Sequence, residues 1–544
     1  MMKHRRTDLL WLLGVSAAFT SSVIAFTPLH QGFSWDEVVY VSQISQHTPS
    51  MPWAAERARG MPLLVAPVTL LTASPAALRL YLASLAGLGL FLGLLAWRGL
   101  RPAWVLALAG VVFGGLWVAQ AEAPLVFPNF WAAIGGVSGV GLFLQGVKRV
   151  ASRRYVSILL TAATAFTALM RPADAVFLFA PLIIAAVAVK EWRSPALLLA
   201  MISGLLLGLG EWLVEAYVYF GGLFARLRGA REASGGTGLH LLNGFRVLNG
   251  RASWSYPGIV AWCVVFLLLS AVGVWAVTRS EGWPFALVPV VCALSVYVLY
   301  SFPNLVSARY LLPAWILLAI PVADGIARIS VHAYERLRLA GVAAAIIFVL
   351  TALVSQHIVL VREMESRQAA IGANGKVTSE LYQLRVRPPC VVTSDSTQPF
   401  TPVAMPAAYH LDCSYAWDMS RISLPSHSRI VMIEGRTGHP FSYALGWPDR
   451  RLRTSDGTVQ IWLEPRRLYH GESTSPRRTT RGSLYFLSFG LEPDAAVEPD
   501  DLGIHVIVLD QRPDELGELG GGAHPLGEHH GGDQPGLELV AARA

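Results

Sequence analysis

About eleven apolar runs recur along this chain, near 8–27, 76–97, 103–120, 126–147, 155–170, 173–190, 196–217, 256–277, 283–302, 308–328 and 337–358. Each is close to the ~20 residues an α-helix needs to cross a bilayer. In hydrocarbon every backbone polar group must be satisfied within its own segment, so runs of this kind are read as helices. Only 15% of the residues are charged, against about 25% in soluble domains, and the mean hydropathy is +0.47. The chain reads as an α-helical polytopic membrane protein. A net charge of +7 might suggest nucleic acid in a soluble protein. Here a basic cytoplasmic face accounts for it, and no nucleic-acid partner is expected. The first run follows Met-Met-Lys-His-Arg-Arg, and Phe26-Thr27-Pro28 is a poor cleavage site, so it reads as an uncleaved first helix.

Charge sets the orientation. With the N-terminus inside, the inner segments carry Lys3, Arg5 and Arg6; Arg98 and Arg101; Lys148, Arg149, Arg153 and Arg154; Lys190 and Arg193; Arg279; and Arg328, Arg336 and Arg338. The short outer turns 121–125 and 303–307 carry no Lys or Arg. Basic residues stay on the cytoplasmic side, so the pattern predicts an N-in, C-out chain. The outer loop 218–255 departs from it, with Arg226, Arg228, Arg231, Arg246 and Arg251. Its glycine, aromatic and arginine content suits a mobile cover over a site, or an amphipathic surface helix with a linker. In the first outer loop, 28–75, the short apolar stretch 61–73 predicts an interfacial or re-entrant helix.

Beyond 358 the composition changes. Val391-Val392-Thr393, Arg429-Ile430-Val431-Met432-Ile433 and Val459-Gln460-Ile461-Trp462-Leu463 read as short strands. The expected organisation is a transmembrane domain over 1–358, a small extracytoplasmic α/β domain over 359–465, and a mostly disordered tail over 466–544. Cys390 and Cys413 fall in the outer domain, where a disulfide can persist; two unpaired thiols are the alternative. His524, His529 and His530 hint at metal but sit in a Gly-rich tail. A composition rich in Ala, Gly, Leu, Arg and Val points to a GC-rich bacterial source, such as an actinobacterium.

Asp36-Glu37 lies just beyond the first run, within Phe33-Ser34-Trp35-Asp36-Glu37-Val38-Val39-Tyr40. Ionised groups next to hydrocarbon are costly unless they work or pair. A carboxylate there can act as a base on an acceptor hydroxyl, hold a metal, or simply cap a helix. Three further motifs follow in order: Arg59-Gly60-Met61-Pro62-Leu63, Leu78-Arg79-Leu80 and Arg309-Tyr310-Leu311-Leu312-Pro313. Together with Asp36-Glu37 and Tyr40, over about residues 8–330, the chain resembles the GT-C membrane glycosyltransferases of the protein O-mannosyltransferase and aminoarabinose-transferase type (the glycosyltransferase family 39-like superfamily). Gly60-Met61 departs from the His or Pro that often precedes Pro-Leu in that family.

The resemblance implies transfer of a sugar from a polyprenyl-phosphate carrier to an extracytoplasmic protein, polysaccharide or glycolipid. Asp36 would be the base and Glu37 its electrostatic neighbour. Glu122, in the outer turn Ala121-Glu122-Ala123-Pro124, would position the acceptor or share a divalent cation with Asp36; the bland alternative is a carboxylate favoured by a helix dipole. No cofactor follows from the sequence itself, and a divalent cation is the one candidate. A lipid phosphate needs fixed cations, and the arginine fork suits it. Arg309, Arg171, Arg79 and Arg59 are the expected ligands, with Arg57 as a further outer arginine, and snorkelling to headgroups is the alternative for each. Asp174, three residues after Arg171, reads as its structural partner. A transporter or flippase of a lipid-linked precursor would instead need mid-span charges and broken helices in matched halves. A non-catalytic scaffold would leave Asp36 and Arg309 without a task.

Overall fold

The computed structural model describes residues 2–46, 48–241, 256–337, 339–394, 403–416, 429–434, 447–454 and 457–464. The expectations for 242–255 and for the tail over 466–544, with its histidines, lie outside these residues.

Each apolar run folds as helix, and proline sets many of the starts. The first helix is α1 (Met2–Phe26), and the segment after it holds α2 (Trp35–Ser42) and α3 (Gly60–Thr69). Then come α4 (Pro75–Leu95), α5 (Ala103–Gly114), α6 (Trp117–Glu122), α7 (Pro128–Lys148), α8 (Arg153–Met170) and α9 (Pro172–Ala188). Next are α10 (Pro195–Tyr219), α11 (Leu223–Ala233), α12 (Tyr256–Glu281), α13 (Trp283–Leu299), α14 (Leu312–Leu337) and α15 (Leu339–Gln383). Pro75, Pro128, Pro172 and Pro195 each open a helix, where the missing N–H costs nothing. Among the described residues six helices are long and apolar enough to cross a membrane: Thr7–Phe26, Pro75–Leu95, Pro128–Lys148, Pro195–Tyr219, Trp262–Glu281 and Ala308–His332. The chain is a multi-pass membrane protein.

Close helix packing in lipid relies on small residues. At the crossing of α12 and α14, a Cβ added to Gly273 would fall on the Pro321 carbonyl, and one added to Gly325 on the Leu269 carbonyl. The expected run 103–120 is broken at Gly115, where an added Cβ would strike the Leu353 side chain.

The expected end of the transmembrane domain at 358 falls inside α15, which continues as one helix through 359–383. Hydropathy drops there, but the segment has no proline and is rich in good helix formers, so nothing stops the helix. Beyond it, β1 (Cys390–Thr393), β2 (Ser414–Ala416), β3 (Arg429–Glu434), β4 (Asp449–Thr454) and β5 (Gly457–Leu463) form one sheet in the order β2-β1-β3-β5-β4. β1 runs parallel to β2 and β3, with Val391 opposite Ser414 and Val392 opposite Val431. β5 is antiparallel to both β3 and β4. β1 lies inside the sheet and is buried along its length, as its unbroken apolar sequence requires.

The crossover from β1 to β2 contains α16 (Ala404–His410), which packs between the sheet and α2. Tyr409 meets Phe33 edge-on at 5.8 Å, and Thr48 donates to Asp412 at 3.1 Å. Cys390 and Cys413 are joined by a disulfide that ties the start of β1 to the end of this crossover, with Cα atoms 4.9 Å apart. The sheet domain thus rests on the element that carries Asp36.

Candidate active site

The site is built on α2. Ser34 is its N-cap, and Glu37, three residues on, accepts from both the Ser34 amide and its hydroxyl at 2.9 Å. This is the reciprocal half of a capping box. The same carboxylate accepts from the Val126 amide at 3.1 Å and forms a two-point ion pair with Arg79 on α4, one contact very short and the other 3.0 Å. Arg79 also donates to the carbonyls of Gly32 and Pro124, both at 3.2 Å. Each of the two side chains is 1% exposed. Burial pushes the Glu37 carboxyl up, but the Arg79 charge and hydrogen bond, with the Ser34 and Val126 amides, hold it below the usual range.

Glu37, expected as the electrostatic neighbour of Asp36, pairs instead with Arg79, and Arg79, expected at a lipid phosphate, is buried against Glu37. They clamp α2 to α4 and to the turn after α6.

Asp36 points the other way. Its Oδ1 accepts from Arg57 at 2.6 Å and its Oδ2 from Arg309 at 2.8 Å. It keeps 27% of its side chain exposed, so a molecule arriving from outside can reach it. Arg309 stands in the short turn Ala308–Leu311 that opens α14, with its guanidinium 4.2 Å above the Phe127 ring and its Nε without a hydrogen-bond partner. Arg57 stacks on Tyr40 at 4.8 Å and Trp35 at 5.2 Å.

Burial raises the Asp36 carboxyl, but the charges of Arg57 and Arg309 outweigh it and hold it at about 2. A carboxylate whose pKa is lowered on folding stabilises the fold above its unfolded value and loses that contribution as pH falls through the folded one. From 3.8 down to about 2, the contribution is about 2.5 kcal/mol at most. Thermal unfolding is therefore expected to show a loss between about pH 4 and pH 2 that Asp36→Asn removes. An identical acid profile in that variant would contradict the assignment.

Glu122 ends α6 and is 1% exposed; its Oε1 accepts from Arg367 of α15 at 2.6 Å. Arg367 also reaches Glu363 at 3.0 Å, so the continuation of α15 returns to the α6 turn. A divalent cation shared by Asp36 and Glu122 would use the unpartnered Oε2 of Glu122 and would have to displace the guanidiniums that now face both carboxylates. Both Asp36 oxygens face guanidiniums and Glu122 faces a third. Among the described residues no three His, Cys, Asp or Glu side chains come together. No step is routed through a cation.

Arg171 has each nitrogen engaged: Nη1 with Asn129 at 2.5 Å, Nη2 with the Tyr300 hydroxyl at 2.7 Å, and Nε against Asp174 at 3.1 Å. Tyr300 also donates to Asp174 through a very short bond. The Tyr310 ring lies 4.8 Å from the Arg171 guanidinium and 5.6 Å from that of Arg309, so Arg171 reaches the site mainly through this ring. Arg59 is bound to Glu215 at 2.5 Å and Gln43 at 2.9 Å, over the Trp53 ring at 4.2 Å. Of the four arginines expected at a phosphate, Arg309 is the one paired with Asp36, and its Nε has no hydrogen-bond partner.

Sequence reasoning ranked Arg57 low and missed Arg367. Arg57 sits in the same Arg-Ala-Arg stretch as Arg59, and nothing in the spacing says which of the two faces Asp36. Arg367 was hidden by the boundary placed at 358.

The charged groups sort to the two ends of the bundle. Asp36, Arg57 and Arg309 meet at one end, and Glu122 with Arg367 nearby. Arg98 with Asp8 at 4.0 Å, Arg101 with Asp324 at 2.8 Å and Glu281 at 3.1 Å, and Lys148 with Glu281 at 2.6 Å involve residues expected on the other side.

No family model and no curated protein matches the sequence. Among solved structures the chain is similar to ArnT from Cupriavidus metallidurans bound to undecaprenyl phosphate, at 11% identity and a TM-score of 0.54, over 85% of this chain and 99% of that one. The apo state of that ArnT matches at 12% identity and a TM-score of 0.55, over 83% and 97%. The Archaeoglobus fulgidus oligosaccharyltransferase in complex with Zn and sulfate gives 12% identity and a TM-score of 0.48, over 75% and 62%. At these identities the ArnT likeness is one of fold. The expected GT-C type of fold is the fold of this chain.

Proposed function

We propose that this chain is a membrane glycosyltransferase that moves a sugar from a polyprenyl-phosphate carrier to a hydroxyl of an extracytoplasmic acceptor. The observation that carries this reading is the partly buried Asp36 carboxylate, still reachable from solvent, held between Arg57 and Arg309, on a fold shared with an ArnT that binds undecaprenyl phosphate. Asp36 takes the proton of the acceptor hydroxyl as its oxygen attacks the anomeric carbon. The bond from that carbon to the phosphate oxygen breaks, and the electron pair leaves with the lipid phosphate. Arg309, with its unbonded Nε, meets that charge in fork geometry.

The two roles are linked. A carboxylate near 2 is a weak base, since an effective base titrates near the working pH. When Arg309 turns to the phosphate, Asp36 loses one of its two cations and its basicity rises. The donor thereby prepares the base that will act on its own acceptor. Arg57 stays behind to orient the carboxylate.

The accompanying topology is eleven spans with the N-terminus inside. The site, the sheet domain and the C-terminus are then extracytoplasmic. The separation of charged groups to opposite ends of the bundle supports it. Protein, polysaccharide and glycolipid acceptors all offer the hydroxyl that Asp36 needs.

Binding of a labelled polyprenyl phosphate to the purified chain in nanodiscs tests the phosphate site. Arg309→Met removes a charge-assisted contact of about 1.5–3 kcal/mol, so affinity is expected to fall by at least about tenfold. Equal affinity in wild type and variant would take Arg309 away from the phosphate.

A further inference from the structure

Arg226 is the one arginine of the outer loop 218–241 whose guanidinium turns wholly inward. It lies on α11, a short helix entered through Gly221 and Gly222, whose φ angles are +73° and +119°, a backbone turn that glycine accepts readily. The outward side of α11 presents Phe224, Leu227, Arg228 and Arg231. Arg226 is 0% exposed, and its guanidinium is stacked between Trp212 at 4.3 Å and Phe220 at 4.6 Å. A surface arginine would keep its head in water; this one spends its donors on backbone. Nε donates to the Ala55 carbonyl at 3.0 Å and Nη2 to the Arg57 carbonyl at 2.8 Å. Nη1 donates to the Trp212 carbonyl at 2.5 Å, and Nη2 also reaches Glu215 at 3.0 Å. Glu215 in turn holds Arg59 at 2.5 Å and Trp53 at 3.3 Å.

The segment gripped in this way, 51–58, contains neither helix nor strand. Within it Arg57 makes one local backbone bond, its amide to the Ala54 carbonyl at 3.1 Å. Its side chain must nevertheless meet Asp36 at 2.6 Å. Loop backbone is costly to fix residue by residue, and a planar fork that bonds two carbonyls at once fixes it in a way lysine cannot.

We infer that Arg226 is a positioning residue: by bonding the carbonyls of Ala55 and Arg57 it holds Arg57 on Asp36, and so sets the state of the base. This rests on the proposed role of Asp36. When Arg57 is released, burial dominates at Asp36 once Arg309 turns to the donor, and its carboxyl titrates above the usual carboxylate range.

The test uses the full chain, purified in detergent, as wild type, Arg226→Gln and Arg226→Lys. Transfer from whichever polyprenyl-phosphate sugar the wild type uses is followed from about pH 5 to about pH 8, the window in which a buried unpaired carboxylate titrates. The wild type is expected to be flat. Both variants are expected to lose about tenfold towards pH 5 and to recover as pH rises, the lysine variant less severely. A uniform loss with a flat profile, or no loss, would overturn the inference.

If Arg226→Gln does not fold, Arg226→Lys carries the test. A second measurement needs no turnover. The acid loss of thermal stability assigned to Asp36 is expected to be smaller and to be complete at higher pH in Arg226→Lys, because its folded value moves up towards the unfolded one, and an unmoved profile would also overturn the inference. A wild type that uses no donor at all would sink the proposed function, while this stability titration would still decide the role of Arg226.

Discussion

Replacing Asp36 with Asn is expected to lower sugar transfer by about 10²–10⁴-fold, the range a positioned general base contributes. Asparagine preserves shape, but its single carbonyl oxygen can take the place of only one of the two Asp36 oxygens that now accept from Arg57 and Arg309, and its NH2 group faces the other guanidinium. It cannot take the acceptor proton, and it leaves two guanidiniums facing a neutral group where they now share a carboxylate. Some stability is lost with that charge, so initial rates must be compared at matched amounts of folded protein. Donor affinity is expected to hold or improve, because Arg309 no longer has to leave an anion to reach the phosphate. A loss in rate with donor affinity retained separates a base from a binding residue. A variant within about tenfold of wild type would remove Asp36 from the chemistry.

Arg79→Met is expected to fail at an earlier stage, in folding. Glu37 and Arg79 are buried together at 1% exposure, and removing one partner leaves an uncompensated charge costing about 3–5 kcal/mol. Against a typical stability of about 5–15 kcal/mol, that is a large share. The yield of monodisperse protein and the half-life at elevated temperature should both collapse. Replacing both members, as Arg79→Met with Glu37→Met, should recover part of the loss, since an apolar pair of similar volume often substitutes for a buried ion pair. If Arg79→Met folded like wild type and lost only donor binding, Arg79 would return to the phosphate role its sequence context suggests.

These contrasting expectations for neighbouring carboxylates show what sequence could and could not convey. The helical runs were legible because hydrocarbon dictates length and composition locally. Asp36 was legible because a charge at the mouth of a span is expensive. Its partners were not. Arg309 is 273 residues away, Arg79 is 42 residues from Glu37, and Arg367 is 245 residues from Glu122. On the page all outer arginines look alike, and only the packing decides which one cancels a buried carboxylate and which one keeps a donor to offer. That α15 runs on as one helix past the expected domain boundary at 358 was not legible, for a local reason. Falling hydropathy marks the membrane edge, and a helix can continue beyond it. The β1 and β3 strands were recognised from their apolar runs, whereas β4, with the sequence Asp-Arg-Arg-Leu-Arg-Thr, has none and is held by pairing with β5.

The measurement that bears most directly on the whole account is transfer from a panel of labelled polyprenyl-phosphate sugars, in membranes carrying wild type or Asp36→Asn at matched expression. The account predicts that at least one donor passes its label to an acceptor with wild type and that the variant abolishes this. Equal transfer by both would contradict Asp36 as the base. Folded wild type that uses no donor would contradict the glycosyltransferase reading itself.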